Sequence, residues 1–102
     1  MSVDLNADEV IASLRGQIAT LDEAILRLVN LRVGKVAALR IYKQRHGLPD
    51  FDPAREAWLH QHLQSQNDGP LDGEAVSELL KFILDLSRRI SRRAISRQNE
   101  TG

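Results

Sequence analysis

The stretch IASLRGQIATLDEAILRLVNLRVGKVAALRIYKQRH, residues 11–46, decides the fold because it contains no proline and repeats apolar residues in steps of three and four. This spacing is typical of a helix whose apolar stripe faces other helices. The stripe consists of Ile11, Leu14, Ile18, Leu21, Ile25 and Leu28. Arg32 then interrupts it, and it resumes at Leu39 and Tyr42. A guanidinium in a position suited to leucine indicates that the stripe has a second purpose there.

Composition limits the class of protein that this chain can be. A chain of 102 residues with 42% hydrophobic content is predicted to form one domain, residues 1–102, with a modest core. Fourteen basic residues balance fourteen acidic ones, so no overall charge favours nucleic acid or an anionic membrane. The lack of cysteine excludes disulfides, zinc thiolate sites and thiol nucleophiles. Without a signal peptide or an apolar run long enough to cross a bilayer, the chain is predicted to be soluble and cytoplasmic.

Local signals predict where the first helix begins and ends. Asn6 followed by Glu9 has the pattern of a capping box, which satisfies free amides at a helix start. Gly47 and Pro49 supply a stop. The first helix is therefore predicted over residues 7–46.

The second and third helices have similar signals. Asp52 suits an N-cap before Pro53, so the second helix is predicted over residues 53–66. Asp72 can cap a third helix over residues 73–97, whose apolar stripe contains Val76, Leu79, Leu80, Ile83, Leu86, Ile90 and Ala94. The sequence has no alternation typical of strands, so the predicted fold class is all-α.

The first helix is too long for one chain to cover. A helix of about 40 residues measures about 60 Å, whereas a compact domain of 100 residues is only about 35 Å across. About half of its apolar stripe would stay in water unless a second copy packs against it. We therefore predict an intertwined homodimer in which the long helices of two chains pair.

Three basic side chains of the first helix can converge on one object. Arg32 and Lys43 are eleven positions apart, which leaves them about 20° apart around the helix. Arg15 lies about 25 Å from Arg32 along the axis, so it can join them only from the other chain of an antiparallel dimer. Three converging cations favour a bound anion, such as a carboxylate held bidentately by arginine. The alternative for each cation is a structural ion pair with Asp22, Asp85 or Glu56.

Over residues 11–95 the chain resembles the all-helical, type II chorismate mutase family. The matching elements are LRGQIATLDEAILRLVNLR at 14–32, YK at 42–43, DPARE at 52–56 and a serine at position 87. The resemblance implies a domain-swapped dimer of three-helix chains, forming a six-helix bundle with two equivalent sites. It also implies an isomerase that rearranges chorismate, a small dicarboxylate, to prephenate in one concerted step. That reaction needs no cofactor and no metal.

The resemblance assigns the central roles to the three converging cations. Arg15 would reach the substrate from the partner chain, and Arg32 would bind a substrate carboxylate within its own chain. Lys43 would contact a carboxylate and the ether oxygen, where negative charge grows during the rearrangement. Together they would hold the dianion in its compact reactive conformer.

Four further residues are implied to contact the ring of the substrate. Asp52, Arg55 and Glu56 would lie near the hydroxyl at C4, with Arg55 also closing the pocket. Ser87 would contact the ring carboxylate. Each of them has a structural alternative, since Asp52 also suits an N-cap and Glu56 suits the first turn of a helix.

The sequence departs from the family pattern at Ser91. Four residues after Ser87 the family usually has glutamine, or sometimes glutamate, to hydrogen-bond the ether oxygen. The shorter Ser91 hydroxyl is expected to act there through a bridging water, as a substrate-binding and catalytic residue. Arg88 is another candidate donor, although an arginine at that position is more often solvated.

Other functions remain open from the sequence alone. Within the same fold, Asp52 and Glu56 would suit the ammonium of 4-amino-4-deoxychorismate, and an isochorismate pyruvate lyase uses a related pocket. A nucleic-acid binder is suggested by residues 32–45 and 88–97, which contain five basic residues each and no acidic one. Zero net charge and 4% aromatic content argue against it. A helical dimer without activity, docked on another enzyme, is the remaining alternative.

Overall fold

The computed structural model describes residues 6–101, and all of the regular structure within this range is helical. The helices are α1 (Ala7–Arg45), α2 (Pro53–Gln66) and α3 (Gly73–Thr101). The predicted all-α class is confirmed. These residues fall into two compact units, one up to Leu31 and one from Arg32 onward.

Side-chain caps start all three helices at the predicted positions. The Asn6 side chain accepts a hydrogen bond of 2.8 Å from the amide of Glu9. The Asp52 carboxylate accepts one of 3.0 Å from Arg55, with Pro53 at the first helical position. Asp72 accepts one of 2.8 Å from the amide three residues later. Each cap satisfies an amide that has no partner within its helix, which fixes where the helix starts.

Helix α1 ends in a glycine turn, which directs the following loop back toward the last turn of α1. Gly47 has a φ of +64°, which L-residues with a side chain rarely adopt. The Leu48 amide donates to the Lys43 carbonyl over 2.9 Å, and the Gly47 amide donates to Gln44 over 3.4 Å. This is the Schellman pattern. It begins the loop of residues 46–52, which carries Asp50 into the site described below.

Helix α3 is longer than its apolar stripe predicts. It continues to Thr101, four residues beyond the predicted end at position 97. Residues 98–101 contain neither glycine nor proline, so no residue there breaks the helix. The apolar pattern marks the buried part of α3, whereas the hydrogen-bonded backbone continues beyond it.

The unit from Arg32 onward packs along one face of α3. Val76 and Leu80 are its most buried apolar side chains, with 6% and 4% exposure. Further along the same helix, Ser87 and Ser91 are buried to 2% and 0% exposure. Two buried hydroxyls in a helix are stable only with hydrogen-bond partners, and α1 supplies them.

The unit up to Leu31 leaves its apolar stripe open. Side chains of the stripe are about half exposed or more, with 52% for Leu14, 55% for Ile18, 63% for Leu21 and 59% for Ile25. A continuous apolar surface of this kind is unusual on a monomer. None of the described helices is both long enough and apolar enough to cross a membrane.

Replacing Asp72 with alanine should destabilise the fold by about 1 kcal/mol, because the α3 cap is lost. Urea unfolding followed by circular dichroism measures the change. Asp72→Asn keeps a side-chain acceptor and should retain most of the stability. Equal stability of the alanine variant and the unaltered protein would contradict this prediction.

Candidate active site

A cavity of about 310 Å³ lies within the unit from Arg32 onward, between the end of α1, the following loop, α2 and α3. Its walls contain six cationic side chains, namely Arg32, Arg40, Lys43, Arg55, Arg88 and Arg92. Three acidic side chains also line it, namely Asp50, Asp52 and Glu56. The excess of positive charge favours an anionic ligand.

Arg32 lines the cavity, and its hydrogen-bond partner there is an uncharged side chain. Its Nη1 donates a hydrogen bond of 2.8 Å to the Ser87 hydroxyl, which in turn donates to the Ile83 carbonyl over 2.8 Å. Within residues 6–101, no carboxylate lies within ion-pair distance of Arg32. Its half-buried charge is therefore oriented but not neutralised.

Arg40 is held more tightly than any other cation of the cavity. Its Nε and Nη2 donate to the two carboxylate oxygens of Asp50 over 2.9 and 2.6 Å. Its Nη1 donates to the Ser91 hydroxyl over 2.7 Å and to the Arg88 carbonyl over 3.1 Å. The planar fork of a guanidinium suits this bidentate pair with a carboxylate. Arg40 thus ties α1 both to the loop and to α3.

Asp50 is the acidic group most affected by this arrangement. Hydrogen bonds from Arg40 lower the pKa of Asp50, and the charges of Arg40 and Lys43 act in the same direction. Partial burial opposes the shift. The Lys43 ammonium lies 3.5 Å from the Asp50 backbone carbonyl, so it reaches the same edge of the cavity. Asp50 therefore stays ionised beside two cations.

A second ion pair of the cavity lining joins α3 to α2. Arg88 donates from Nη2 to Glu56 on α2, and its Nη1 lies 3.5 Å from Asp85. The sequence favours a solvated arginine at this position, and the structure instead pairs it across the cavity wall. Because Arg88 is paired with Glu56, less of the Glu56 negative charge is available to a ligand.

The start of α2 contributes Arg55 and Asp52 to the cavity lining. The Arg55 guanidinium lies 4.0 Å from the centre of the Trp58 ring, a cation–π contact that keeps it at the start of α2. Trp58 also stacks on His62, with ring centres 4.6 Å apart. Asp52 lines the cavity while it caps α2, so the capping role is confirmed and its contact with a substrate stays a prediction.

The structure brings together most of the residues that the sequence singled out. Six of the predicted site residues line the cavity, namely Arg32, Lys43, Asp52, Arg55, Glu56 and Ser87. Ser91 is fully covered and does not line it. Arg15 lies in the unit up to Leu31, so its role remains a prediction that needs a second chain.

Three charged lining residues were not considered in the sequence analysis, namely Arg40, Asp50 and Arg92, and a fourth, Arg88, was considered only as an alternative donor. Arg40 lies about 80° from Arg32 around the helix, at the flank of the stripe rather than on it. Asp50 follows the helix by only a few residues, and a carboxylate in so short a loop can reach back to the last turns. An arginine beside the stripe and an aspartate in the short loop after the helix were therefore the signal in the sequence for this ion pair. Within the described range, no three metal-binding side chains lie close enough to hold an ion.

Comparison with known proteins identifies the family of this chain. The sequence model of the family described as chorismate mutase type II matches residues 14–92. The chain belongs to the type II chorismate mutase family. The match includes every residue that lines the cavity.

Curated relatives match most of this chain. The chain is 34% identical over 92 residues to a T-protein of Enterobacter agglomerans, covering 90% of this chain and 23% of the relative. It is 35% identical over 77 residues to a bifunctional chorismate mutase/prephenate dehydratase of Pseudomonas aeruginosa, covering 71% and 21%. The chain thus spans less than a quarter of the length of these curated relatives.

The chain also matches a solved chorismate mutase structure over nearly the whole length of that protein. The chorismate mutase (Form II) from Thermus thermophilus has a TM-score of 0.77 and 31% sequence identity to this chain. The similarity covers 81% of this chain and 94% of that one. The three-helix architecture is therefore that of a chorismate mutase.

Stability should fall at acid pH through Asp50. Because its pKa is lower in the folded chain, the unfolded chain takes up a proton first as the pH drops. The contribution of the Arg40 pair is present above the ordinary aspartate pKa of about 4 and is lost as the pH falls through the lower folded value. Asp50→Asn should flatten this part of the stability curve, measured by urea unfolding between neutral and acid pH. Equal slopes for both proteins would contradict the prediction.

Proposed function

We propose that this chain is a chorismate mutase, converting chorismate to prephenate in a pocket shared between two chains. The observation that supports it most is the cationic cavity in which Arg32 is oriented by the Ser87 hydroxyl and not by a carboxylate. A partly buried cation without a counter-charge is costly unless an anion binds to it. Chorismate supplies two carboxylates, and family membership connects the cavity to that substrate.

The reaction requires that the substrate is held in its reactive conformer and that developing negative charge is stabilised. The cationic residues of the pocket can do both. One C–C bond forms while the ether C–O bond breaks in a single concerted step, and no proton moves to or from the enzyme. Arg32 and the partner's Arg15 hold the carboxylates in the compact conformer. Lys43 stabilises the negative charge that grows on the ether oxygen.

The remaining lining residues bind and enclose the ring. Asp52 accepts a hydrogen bond from the C4 hydroxyl, close to Glu56, and Ser87 contacts the ring carboxylate. Arg55 closes the mouth of the pocket from the start of α2, where its stack on Trp58 supports it. Because Glu56 is paired with Arg88, a neutral hydroxyl at C4 suits this wall better than an ammonium.

The proposed active form is an intertwined homodimer that forms a six-helix bundle. The apolar stripe of the unit up to Leu31 supports it, since side chains such as Leu21 and Ile25 are about 60% exposed. Exposure of this extent favours burial against a second copy. Sedimentation equilibrium should give a mass of two 11.5 kDa chains.

The function is tested by assaying the purified chain with three substrates. Chorismate, 4-amino-4-deoxychorismate and isochorismate are supplied separately, and the products are separated by chromatography. We expect prephenate from chorismate, with a higher kcat/KM than for the amino analogue. An Arg32→Ala preparation, purified in parallel, measures any activity contributed by host enzymes. No turnover of chorismate above the uncatalysed rate would overturn the proposal.

A binding measurement separates the enzyme from an inactive helical dimer or a nucleic-acid binder. A bicyclic dicarboxylate that mimics the transition state should raise the melting temperature in proportion to its concentration above Kd. The same compound without its carboxylates is the control. Affinity for DNA or RNA that falls steeply with salt would instead support a nucleic-acid binder.

A further inference from the structure

Ser91, which was expected to act on the ether oxygen through a bridging water, is not accessible in this structure. Ser91 is 0% exposed and is absent from the cavity wall. Its hydroxyl donates to the Arg88 carbonyl over 3.2 Å and accepts a hydrogen bond from Arg40 over 2.7 Å. The Ser91 hydroxyl is therefore already used by its neighbours.

Arg40 is hydrogen-bonded to Ser91 and, unlike Ser91, lines the cavity. Its side chain is 19% exposed, and it also lines a second pocket together with Gln44, Leu48 and Ile95. The four hydrogen bonds to Asp50, Ser91 and the Arg88 carbonyl use all but one of the N–H donors of the guanidinium. The remaining donor is on Nη2.

The position of Arg40 is determined before any ligand binds. Asp50 holds the guanidinium from the loop, while Ser91 and the Arg88 carbonyl hold it from α3. A donor fixed in this way needs no reorganisation when charge develops next to it. Lys43 lies three residues further along α1 and lines the same cavity, so the two cations can act on one oxygen.

We propose that Arg40, held by Asp50 and Ser91, is a catalytic residue that donates a hydrogen bond to the ether oxygen of the substrate. The inference rests on the proposed function. The guanidinium only donates a hydrogen bond, so it stabilises the developing negative charge without transferring a proton. Ser91 and Asp50 are positioning residues, which act only through the guanidinium.

The first test compares Arg40→Met with Arg45→Met. The methionine at 40 keeps much of the apolar stem but removes the donors, and kcat should fall by about 10²–10³-fold with a smaller change in KM. Arg45 is an exposed residue of the last turn of α1 and does not line the cavity, so its variant should retain the activity. Circular dichroism and melting temperature show whether both variants are folded.

A second test distinguishes catalysis from a purely structural link. Arg40→Ala combined with Ser91→Gln puts an amide donor where the guanidinium was, and should raise kcat at least about tenfold above Arg40→Ala alone. If Arg40 only joins α1 to the loop, the double variant should show no such recovery of kcat. Ser91→Ala alone should cost much less than Arg40→Met, because Arg40 and Asp50 remain.

The outcomes separate this inference from the proposed function. If the unaltered protein does not convert chorismate, both are overturned. If it does, and folded Arg40→Met keeps its kcat, only the inference is overturned. A double variant no better than Arg40→Ala, or a Ser91→Ala variant as impaired as Arg40→Met, also overturns it.

Discussion

Replacing Arg32 with alanine should lower kcat/KM for chorismate by about 10²–10³-fold, because truncating one partner of a buried charge pair costs about 2–5 kcal/mol. The effect follows from the partners of Arg32. Within residues 6–101 the Ser87 hydroxyl is its one hydrogen-bond partner, so its charge is available to a substrate carboxylate. Steady-state kinetics measures the loss, and circular dichroism should show that the variant remains helical.

Two further variants identify the reason for the loss. Arg32→Lys keeps the charge but loses the planar fork, so it should be impaired less than the alanine variant. Lys43→Ala should lower kcat more than it affects folding, since its ammonium acts on the ether oxygen. Unchanged kcat/KM in Arg32→Ala would refute the assignment. Unfolding of Lys43→Ala would instead favour a structural ion pair.

The helix ends were predictable because they depend on local chemistry. Asn6, Asp52 and Asp72 each accept a hydrogen bond from the amide three residues later, and this needs no knowledge of the remaining fold. Gly47 stops α1 for a similarly local reason. The end of α3 was less predictable, since the apolar stripe reports burial and not the extent of the helix.

Helical spacing predicted two residues of the cavity wall, and the family resemblance predicted four more, namely Asp52, Arg55, Glu56 and Ser87. Arg32 and Lys43 share a face of α1, and the structure brings both to one cavity. Arg40 was not predicted because the spacing of residues along a helix does not show how far a long side chain reaches. Its direction depends on Asp50, which the glycine turn returns to α1, and on the hydroxyl of Ser91. Such contacts arise from the fold and not from the sequence pattern.

Mixing two inactive variants should restore activity if the pocket is shared between chains. Arg15→Ala and Arg32→Ala homodimers each lack a cation at both sites. A heterodimer of the two has one site with both arginines intact, contributed by different chains, and one site with neither. Unfolding and refolding an equal mixture should therefore restore roughly a quarter of the wild-type sites, counted by active-site titration with the dicarboxylate mimic.

A matched mixture shows whether the recovery requires residues from two chains. Arg32 and Lys43 line the cavity of the same chain, so a heterodimer of Arg32→Ala and Lys43→Ala still has one defect at each site. That mixture should remain inactive after the same treatment. Recovery in both mixtures would mean that Arg32 and Lys43 do not serve one site. Recovery in neither, with heterodimers demonstrated by mass, would mean that Arg15 does not reach its partner's pocket.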